Sequence, residues 1–291
     1  MCGPEACGRA NRTGGESVQS RPTVSFVVPA YNEAAYLRPT LLAILRETRS
    51  ADCPTEIVVV DNASTDATRQ VAESVPNVRV VDEPRKGLVQ ARQAGYLATT
   101  GELVANIDAD TVLPEGWLRK ALEIFAAEPE LAGVSGPYTY YDVPWHTNAL
   151  VGFFYRWAFL SYVTSRFILR VGSMMQGGNF VVRRSALDRI GGFNPDFSFY
   201  GEDTELACRL NKVGGVKFTF ALRSSSSGRR LLAEGLFRVF WTYTLNYVWA
   251  TYFRRPFTRS WRDFRDAGGG RLVAQPQRAE EARPADSTLA G

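Results

Sequence analysis

Apolar runs alternate with helix-like segments through the first half of the chain. Five runs rich in β-branched residues are predicted as strands, at residues 23–29, 56–61, 78–83, 102–108 and 131–137. Helical patterns occupy the intervals near residues 34–48, 65–74, 88–99 and 115–127. Nearly continuous apolar strands separated by helices are typical of an α/β fold with a mostly parallel central sheet and helices on both faces.

Polar residues follow the first four predicted strands. They are the stretch AYNE, the pair Asp61-Asn62, the pair Arg85-Lys86 and the stretch Asp108-Ala109-Asp110. In a parallel sheet, ligands bind beyond the carboxyl ends of the strands. The sequence therefore predicts that these residues share one edge of the sheet and form a ligand site there.

The stretch ANIDADTVLP places two carboxylates two positions apart, directly after an apolar strand. If the backbone stays extended, Asp108 and Asp110 point to the same side and can supply oxygen ligands to Mg²⁺ or Mn²⁺. Such a metal completes its shell with phosphate oxygens and water, so a bound diphosphate would explain both aspartates. The alternative is a turn or a helix cap, where this tripeptide pattern is also common.

The loops after the first three strands offer candidate contacts for a nucleotide. Pro29 cannot donate a ladder hydrogen bond, so the chain leaves the sheet there, and the loop with Tyr31 and Glu33 can cradle a nucleotide. Asp61 can accept a hydrogen bond from an N–H group of the nucleotide's base, and Lys86 can pair with phosphate. The alternatives are a plain strand-to-helix connection with an asparagine cap, and ordinary solvated charges.

The stretch FSFYGEDTELACRL places Glu202 and Asp203 at the start of a predicted helix. One interpretation is structural, because acidic residues in a first turn complement the helix dipole. The other is a general base that takes the proton of an acceptor hydroxyl as a bond forms to an electrophilic carbon. A Ser-His-Asp hydrolase finds little support, since His146 is the sole histidine and the G-x-S-x-G motif is missing.

Two long aromatic segments follow, at residues 146–172 and 231–257. Arginines interrupt the first, and Glu234, Arg238 and Asn246 interrupt the second, whereas a membrane span needs roughly twenty mostly apolar residues. We predict amphipathic helices that lie on the domain or on a bilayer surface. Ordinary core packing is an equal alternative.

The net charge of the 291-residue chain is only +4, which favours an anionic ligand or a membrane surface over nucleic acid. Four cysteines without metal spacing are consistent with a cytoplasmic protein, free or peripheral on the inner face of the cell membrane. Polar, glycine-containing ends predict disordered tails at residues 1–21 and 266–291.

Six segments, in order, resemble the family 2 glycosyltransferases, which are inverting enzymes of the GT-A nucleotide-diphospho-sugar transferase fold. They are VSFVVPAYNE, EIVVVDNASTDAT, RKGLVQARQAG, GELVANIDADT, GGNFVVRRSALDRIGGF and GEDTELACRL. The resemblance implies transfer of a sugar from a UDP- or GDP-linked donor to an acceptor hydroxyl. We expect a GT-A domain at residues 22–230, followed by an amphipathic helical extension at 231–265.

The resemblance also implies roles for matching positions. Residues that would hold the nucleotide are Pro29, Tyr31, Glu33 and Asp61. Asp108 would approach the ribose or the metal, and Asp110 would bind a divalent metal, Mg²⁺ or Mn²⁺, directly. Asp203 would be the catalytic base, with Glu202 near the acceptor.

Departures from the family pattern concern the metal and the acceptor. Asn62 stands where many relatives carry a second aspartate, and LRSSSSGRRL lacks the late histidine that completes the metal shell in some relatives. Within that stretch, Arg229 and Arg230 are candidates for diphosphate or acceptor contact, with solvated charge as the alternative. No Q-x-x-R-W motif points to a processive synthase.

We expect a glycan or a lipid-linked acceptor presented at a membrane. Two other functions stay open at this point. A nucleotidyltransferase could use the same sheet and aspartate pair, although it would carry a glycine-rich phosphate loop after its first strand. A non-catalytic sugar-nucleotide-binding protein would require Asp203 to be misplaced.

Overall fold

We analysed a computed structural model of the chain, which describes residues 21–168, 173–197, 199–258, 260–263 and 271–274. The predicted N-terminal tail lies outside the described residues except for Arg21. The predicted C-terminal tail lies outside them except for 271–274.

The described residues form α-helices and strands in the predicted alternation. The strands are β1 (Val24–Ala30), β2 (Thr55–Asp61), β3 (Val78–Asp82), β4 (Leu103–Ile107), β5 (Thr111–Val112), β6 (Gly133–Ser135), β7 (Tyr138–Tyr140), β8 (Asn179–Arg183), β9 (Val216–Phe218), β10 (Ser224–Ser226), β11 (Ser260–Asp263) and β12 (Arg271–Ala274). The helices are α1 (Leu37–Ser50), α2 (Thr68–Glu73), α3 (Leu88–Ala98), α4 (Trp117–Ala127), α5 (Trp145–Val163), α6 (Arg184–Ile190), α7 (Glu202–Leu210), α8 (Arg229–Glu234) and α9 (Leu236–Phe253).

The main sheet has the strand order β3-β2-β1-β4-β8-β6-β9. Strands β3, β2, β1 and β4 pair in parallel, β8 runs antiparallel to both of its neighbours, and β6 pairs in parallel with β9. The predicted α/β fold with a mostly parallel central sheet is confirmed.

Alternate residues of the central strands point into two separate cores. Every residue of β1 is buried. On one face, Phe26 and Val28 pack in a core that contains side chains of α1 and α4. On the other face, Val27 packs in a core built with α3, α6 and α7. Helices therefore cover both faces, which is why the strands lack a polar side.

The strand order changes direction between β1 and β4. Strands β2 and β3 continue from one edge of β1, whereas β4 follows β3 in sequence and pairs with the other edge of β1. A switch of this kind leaves a crevice beyond the carboxyl ends of the strands. The loop after β1 carries Tyr31 and Glu33, and the turn after β4 carries Asp108 and Asp110, so both reach this crevice.

A small second sheet, β5-β10-β7, places a late segment of the chain beside the crevice. In its antiparallel pair, Thr111 of β5 stands opposite Ser226 of β10. This pairing brings the start of α8, with Arg229, next to the turn that carries Asp110.

Helices α5 and α9 occupy the two aromatic segments and pack against each other. The rings of Phe154 and Phe240 stack with centroids 4.1 Å apart, and Trp157 lies 5.7 Å from the same Phe240 ring. A π-helical turn, Thr164–Ile168, continues α5. Among the described residues, no helix has both the length and the apolar character needed to cross a membrane.

Asn246, one of the polar residues that interrupt the apolar run of the second segment, lies inside α9. It is buried, and its side-chain oxygen accepts hydrogen bonds from the backbone N–H groups of Phe257 and Thr258. The asparagine thus fastens the chain that follows the helix.

The helical extension is shorter than the predicted 231–265. Helix α9 ends at Phe253, and Ser260–Asp263 pairs with Arg271–Ala274 as an antiparallel two-stranded sheet. One of these strands lies in the predicted tail. The division into domains remains a prediction.

Candidate active site

The crevice contains a cavity of about 470 Å³. The structure brings ten of the predicted site residues to its wall: Pro29, Tyr31, Glu33, Lys86, Asp108, Asp110, Glu202, Asp203, Arg229 and Arg230. Asp61 does not line it. That side chain is 9% exposed, and its Oδ1 accepts a hydrogen bond from the backbone N–H of Ser64.

The Asp108 and Asp110 pair lies in a turn. The backbone N–H of Thr111 donates to the carbonyl of Asp108 at 3.0 Å, so the extended backbone considered from the sequence is wrong here. Both carboxylates still face the cavity, because the turn follows directly on the end of β4. Their charges do not simply oppose each other, since each carboxylate contacts a different arginine.

Arg92 of α3 contacts the first aspartate. Its guanidinium is 1% exposed and forms ion pairs with Asp108, at 3.2 Å, and with Glu202. Burial lowers the pKa of Arg92, but the negative charges of Glu202 and Asp108 outweigh burial and raise it. Arg92 therefore stays charged and ties the turn after β4 to the start of α7.

Arg229 of α8 contacts the second aspartate. Its Nη2 lies 3.0 Å from Oδ2 of Asp110 and also pairs with Glu33, which is 2% exposed. Ser226 donates to the other oxygen of Asp110 at 3.2 Å. Arg229 is thus neither solvated nor free, and its cationic group lies where the family resemblance puts a metal contact.

The loops from β1, β2 and β3 are linked to one another. The side-chain amide of Asn62 donates to the carbonyls of Glu83 and Arg85, and its oxygen accepts from the N–H of Gly87. This residue holds the loop that presents Lys86. The Nζ of Lys86 lies 3.7 Å from the ring centre of Tyr31, at the cavity wall.

Arg85 does not reach the cavity wall and instead binds the side chain of Glu83. Asp66 has a structural role, because its carboxylate accepts hydrogen bonds from the backbone N–H groups of Thr68 and Ala34.

Two acidic residues at the start of α7 differ in their surroundings. Glu202 is buried beside Arg92, and burial raises its pKa to about 7 against the opposing effect of that arginine. Asp203 is partly exposed, and burial raises its pKa as well. Two hydrogen bonds oppose this shift, from Gly177 N–H at 3.0 Å and Thr204 N–H at 2.7 Å, because they stabilise the ionised carboxylate.

Arg230 lies beside aromatic rings. Its Nη1 donates to the hydroxyl of Tyr200 at 2.9 Å, and its guanidinium lies 4.5 Å from the ring centre of Phe199. It lines the cavity as predicted, but its surroundings differ from those of Arg229.

Arg92 was missed by the sequence reasoning, although a signal was present. It stands three positions after Val89 and four before Tyr96, so it falls on the apolar face of α3. All three residues are buried. An arginine on a core-facing stripe requires a buried partner, and the sequence alone does not say which carboxylate supplies it.

The residues supply part of a shell for a divalent metal, which phosphate oxygens of a substrate would complete. In the described part of the chain, no cluster of three or more His, Cys, Asp or Glu residues is arranged to hold a metal ion. Asp110 and Asp108 supply carboxylate oxygens, which suits Mg²⁺ or Mn²⁺ when phosphate oxygens complete the shell. Asp110 would hold the ion, and Arg229 occupies that carboxylate in the structure.

With this geometry established, comparisons with known proteins identify the class. Residues 25–191 match Glycosyl transferase family 2, and the chain belongs to this family. It is similar to the mannosyltransferase PcManGT from Pyrobaculum calidifontis, solved in complex with GDP-Man and Mn²⁺. The TM-score is 0.61 with 25% identity over 81% of this chain and 65% of that one. The predicted family and the GT-A fold are thereby confirmed.

Two relatives show how far the sequence similarity extends. YdaM of Bacillus subtilis (strain 168), named as a probable glycosyltransferase, is 28% identical over 214 residues, which cover 68% of this chain and 49% of YdaM. The dolichyl-phosphate beta-glucosyltransferase ALG5C of Trichomonas vaginalis is 38% identical over 97 residues, 30% of this chain and 28% of ALG5C. The chain thus matches half or less of the length of these two relatives.

Gly178 permits the close approach of Asp108. Its φ is +75°, and an added Cβ would fall 1.9 Å from Cγ of Asp108. We expect Gly178→Ala to displace that carboxylate and to weaken binding of UDP or GDP in isothermal titration. Overpacking of this kind lowers the free energy of unfolding by about 1–3 kcal/mol.

Gly191→Ala is the matched control for Gly178→Ala. Gly191 has the same φ, but nothing lies within 4 Å of an added Cβ, so only the backbone strain is shared. Equal nucleotide affinity in the two variants would show that the position of Asp108 does not matter for binding.

Arg229→Gln should increase the affinity for Mn²⁺ measured without nucleotide. Removing the guanidinium frees Asp110 of a competing cation. We expect the Mn²⁺ affinity to rise roughly tenfold, because a partly buried ion pair is stronger than an exposed one, which contributes at most about 1 kcal/mol. Free Mn²⁺ is measured by electron paramagnetic resonance. Arg223→Gln, an exposed arginine of the preceding loop, is the control. Equal Mn²⁺ affinity in both variants would exclude competition.

Proposed function

We propose that the chain is an inverting glycosyltransferase that moves a sugar from a nucleoside diphosphate sugar to an acceptor hydroxyl. The supporting observation is the composition of one cavity. It holds a hydrogen-bonded, accessible carboxylate, Asp203, together with cationic groups suited to a diphosphate, Lys86 and Arg229.

In the proposed step, the acceptor oxygen bonds to the anomeric carbon while the bond from that carbon to the diphosphate oxygen breaks. The electron pair of that bond leaves with the nucleoside diphosphate, and Asp203 takes the acceptor proton. A single displacement inverts the anomeric centre, so a second carboxylate nucleophile is not required.

The surroundings of Asp203 suit a base. Its oxygens accept N–H bonds from Gly177 and Thr204, which fix the orientation of the carboxylate. Burial raises its pKa above the ordinary 3.8, and a more basic carboxylate takes a proton more readily. Glu202 would act as a positioning residue, because it anchors Arg92 beside the cavity.

The negatively charged donor would be bound by positively charged side chains. Lys86 and Arg229 supply positive charge for the diphosphate, and Tyr31 supplies an aromatic face beside Lys86. A divalent metal at Asp110 would neutralise charge on the leaving diphosphate. The complex of PcManGT with GDP-Man and Mn²⁺ supports a nucleotide sugar and such a metal here.

The acceptor is proposed to be a glycan or a lipid-linked molecule. Two observations support a lipid. One relative, ALG5C, is named for a dolichyl phosphate. In this chain, helices α5 and α9 carry exposed aromatic side chains such as Trp157 and Trp241.

Asp203→Asn should reduce turnover by about 10²–10⁴-fold, the usual contribution of a general base, while nucleotide affinity stays within twofold, about 0.4 kcal/mol. The assay is release of UDP or GDP from a panel of nucleotide sugars with glycan and lipid acceptors. Asp52→Asn, at an exposed position, is the control. If Asp203→Asn turns over as fast as the control, Asp203 is not the base.

The rate should also depend on pH with a defined sign. A base works only when ionised, so kcat/KM should rise with pH through a midpoint above 3.8, the ordinary value from which burial raises the pKa of Asp203. Glu202→Gln should move this midpoint to lower pH, because the negative charge that Glu202 gains as the pH rises opposes ionisation of Asp203, and the variant lacks that charge. A midpoint that stays in place or moves upward would contradict this coupling.

A further inference from the structure

A second cavity, of about 510 Å³, lies between α5 and α9. Its volume falls within the range of about 300–1,000 Å³ typical of small-molecule sites. Aromatic and aliphatic side chains dominate its wall, among them Val151, Phe154, Leu160, Leu236 and Phe240. No lysine or arginine occurs among the described residues that line it. A cavity of this character suits an uncharged hydrocarbon.

The two cavities meet at Asp203. This residue lines both of them, as do Gln176, Gly201 and Tyr243, whereas Asp110, Lys86 and Arg229 line only the first. A molecule in the second cavity therefore reaches the Asp203 carboxylate from the side away from Lys86 and Arg229, the residues proposed to bind the diphosphate. Its end at Asp203 would meet a carboxylate, whereas most of the remaining wall is apolar or aromatic.

The chemistry of the junction selects that end. A carboxylate accepts a hydrogen bond, so it matches a hydroxyl group. A phosphate would bring further negative charge next to Asp203 and Glu202, and only one of their charges is paired with Arg92. The occupant is thus amphiphilic, with a hydroxyl at its polar end and an apolar chain behind it.

The same two helices also carry exposed aromatic side chains. Phe153 and Phe237 are 61% and 69% exposed, and Trp241 is 59% exposed. Arg156 and Arg238, on the same helices, are exposed as well. Exposed aromatic rings with interspersed arginines suit the interface of an anionic bilayer.

We propose that the cavity between α5 and α9 binds the hydrocarbon chain of a lipid-linked acceptor and delivers its terminal hydroxyl to Asp203. This inference rests on the proposed glycosyl transfer. The hydroxyl oxygen bonds to the anomeric carbon, the diphosphate leaves with its electron pair, and the proton goes to Asp203. The second cavity supplies the selectivity for a long apolar chain.

Binding of the chain can be measured without any turnover. A dansyl-labelled dodecanol is the probe, and octanol, decanol and dodecanol displace it from the full-length protein. Each additional buried methylene group should strengthen displacement by about fourfold. Equal affinity for the three alcohols would overturn the proposal.

A variant that fills the cavity gives the sharper test. Ala158 lines the second cavity, and Ala158→Trp should weaken probe binding at least about tenfold, the effect of losing a few buried methylene groups. Ala149→Trp is the matched control, since Ala149 is exposed, lies on the opposite face of the same helix and does not line the cavity. Thr244→Trp repeats the test from α9 if Ala158→Trp does not fold.

Transfer assays then separate this inference from the proposed function. Loss of transfer to alkyl glycosides in Ala158→Trp, with transfer to a short soluble acceptor retained, supports the inference. Unchanged probe binding in Ala158→Trp and Thr244→Trp overturns it and leaves the transfer proposal standing. Probe binding without nucleoside diphosphate release from any donor overturns the transfer proposal instead. Transfer to a polyprenyl phosphate, with none to a lipid hydroxyl, overturns the assignment of the hydroxyl end.

Discussion

The buried guanidinium of Arg92 is the constraint on which the site depends. It joins three elements that are distant in sequence: α3, the turn after β4 and the start of α7. Removing one partner of a buried ion pair costs about 3–5 kcal/mol, because the other charge stays buried without compensation. Changing any one of the three side chains therefore leaves a buried charge less well paired, and the positions of Asp108 and Glu202 are determined together.

A second arginine, Arg229, pairs with two other buried or partly buried carboxylates described above. Arg229 pairs with Asp110 and Glu33 as Arg92 pairs with Asp108 and Glu202, so each aspartate of the turn has its own cation. The two pairs differ in burial: the Arg92 side chain is 1% exposed and that of Arg229 is 21% exposed. Arg229 can thus leave its carboxylate partners at a lower cost in free energy than Arg92 can. A cation or a diphosphate that enters the cavity would rearrange the Arg229 side and leave the Arg92 side in place.

Much of this arrangement could be predicted from the sequence. The apolar strands and their order along the chain placed Asp108, Asp110 and Lys86 on one edge, because parallel strands end together. Asp61 ends β2 at the same edge, yet its carboxylate accepts a hydrogen bond from the backbone N–H of Ser64. Nothing local distinguishes the two outcomes. The partners of Arg92 and Arg229 lie up to 196 positions away, so they depend on the tertiary fold and not on any periodicity.

The late helix is part of the site and not an appendage to it. Gly201, which precedes the acidic pair, packs so closely on α9 that an added Cβ would lie 3.2 Å from Cβ of Ala250. Tyr243 of α9 lines both cavities. The segment that resembled an extension in sequence therefore supports the start of α7, and with it the carboxylate of Asp203. Because the same helix exposes aromatic residues on its outer face, whatever binds that face is connected to the proposed base through one closely packed contact.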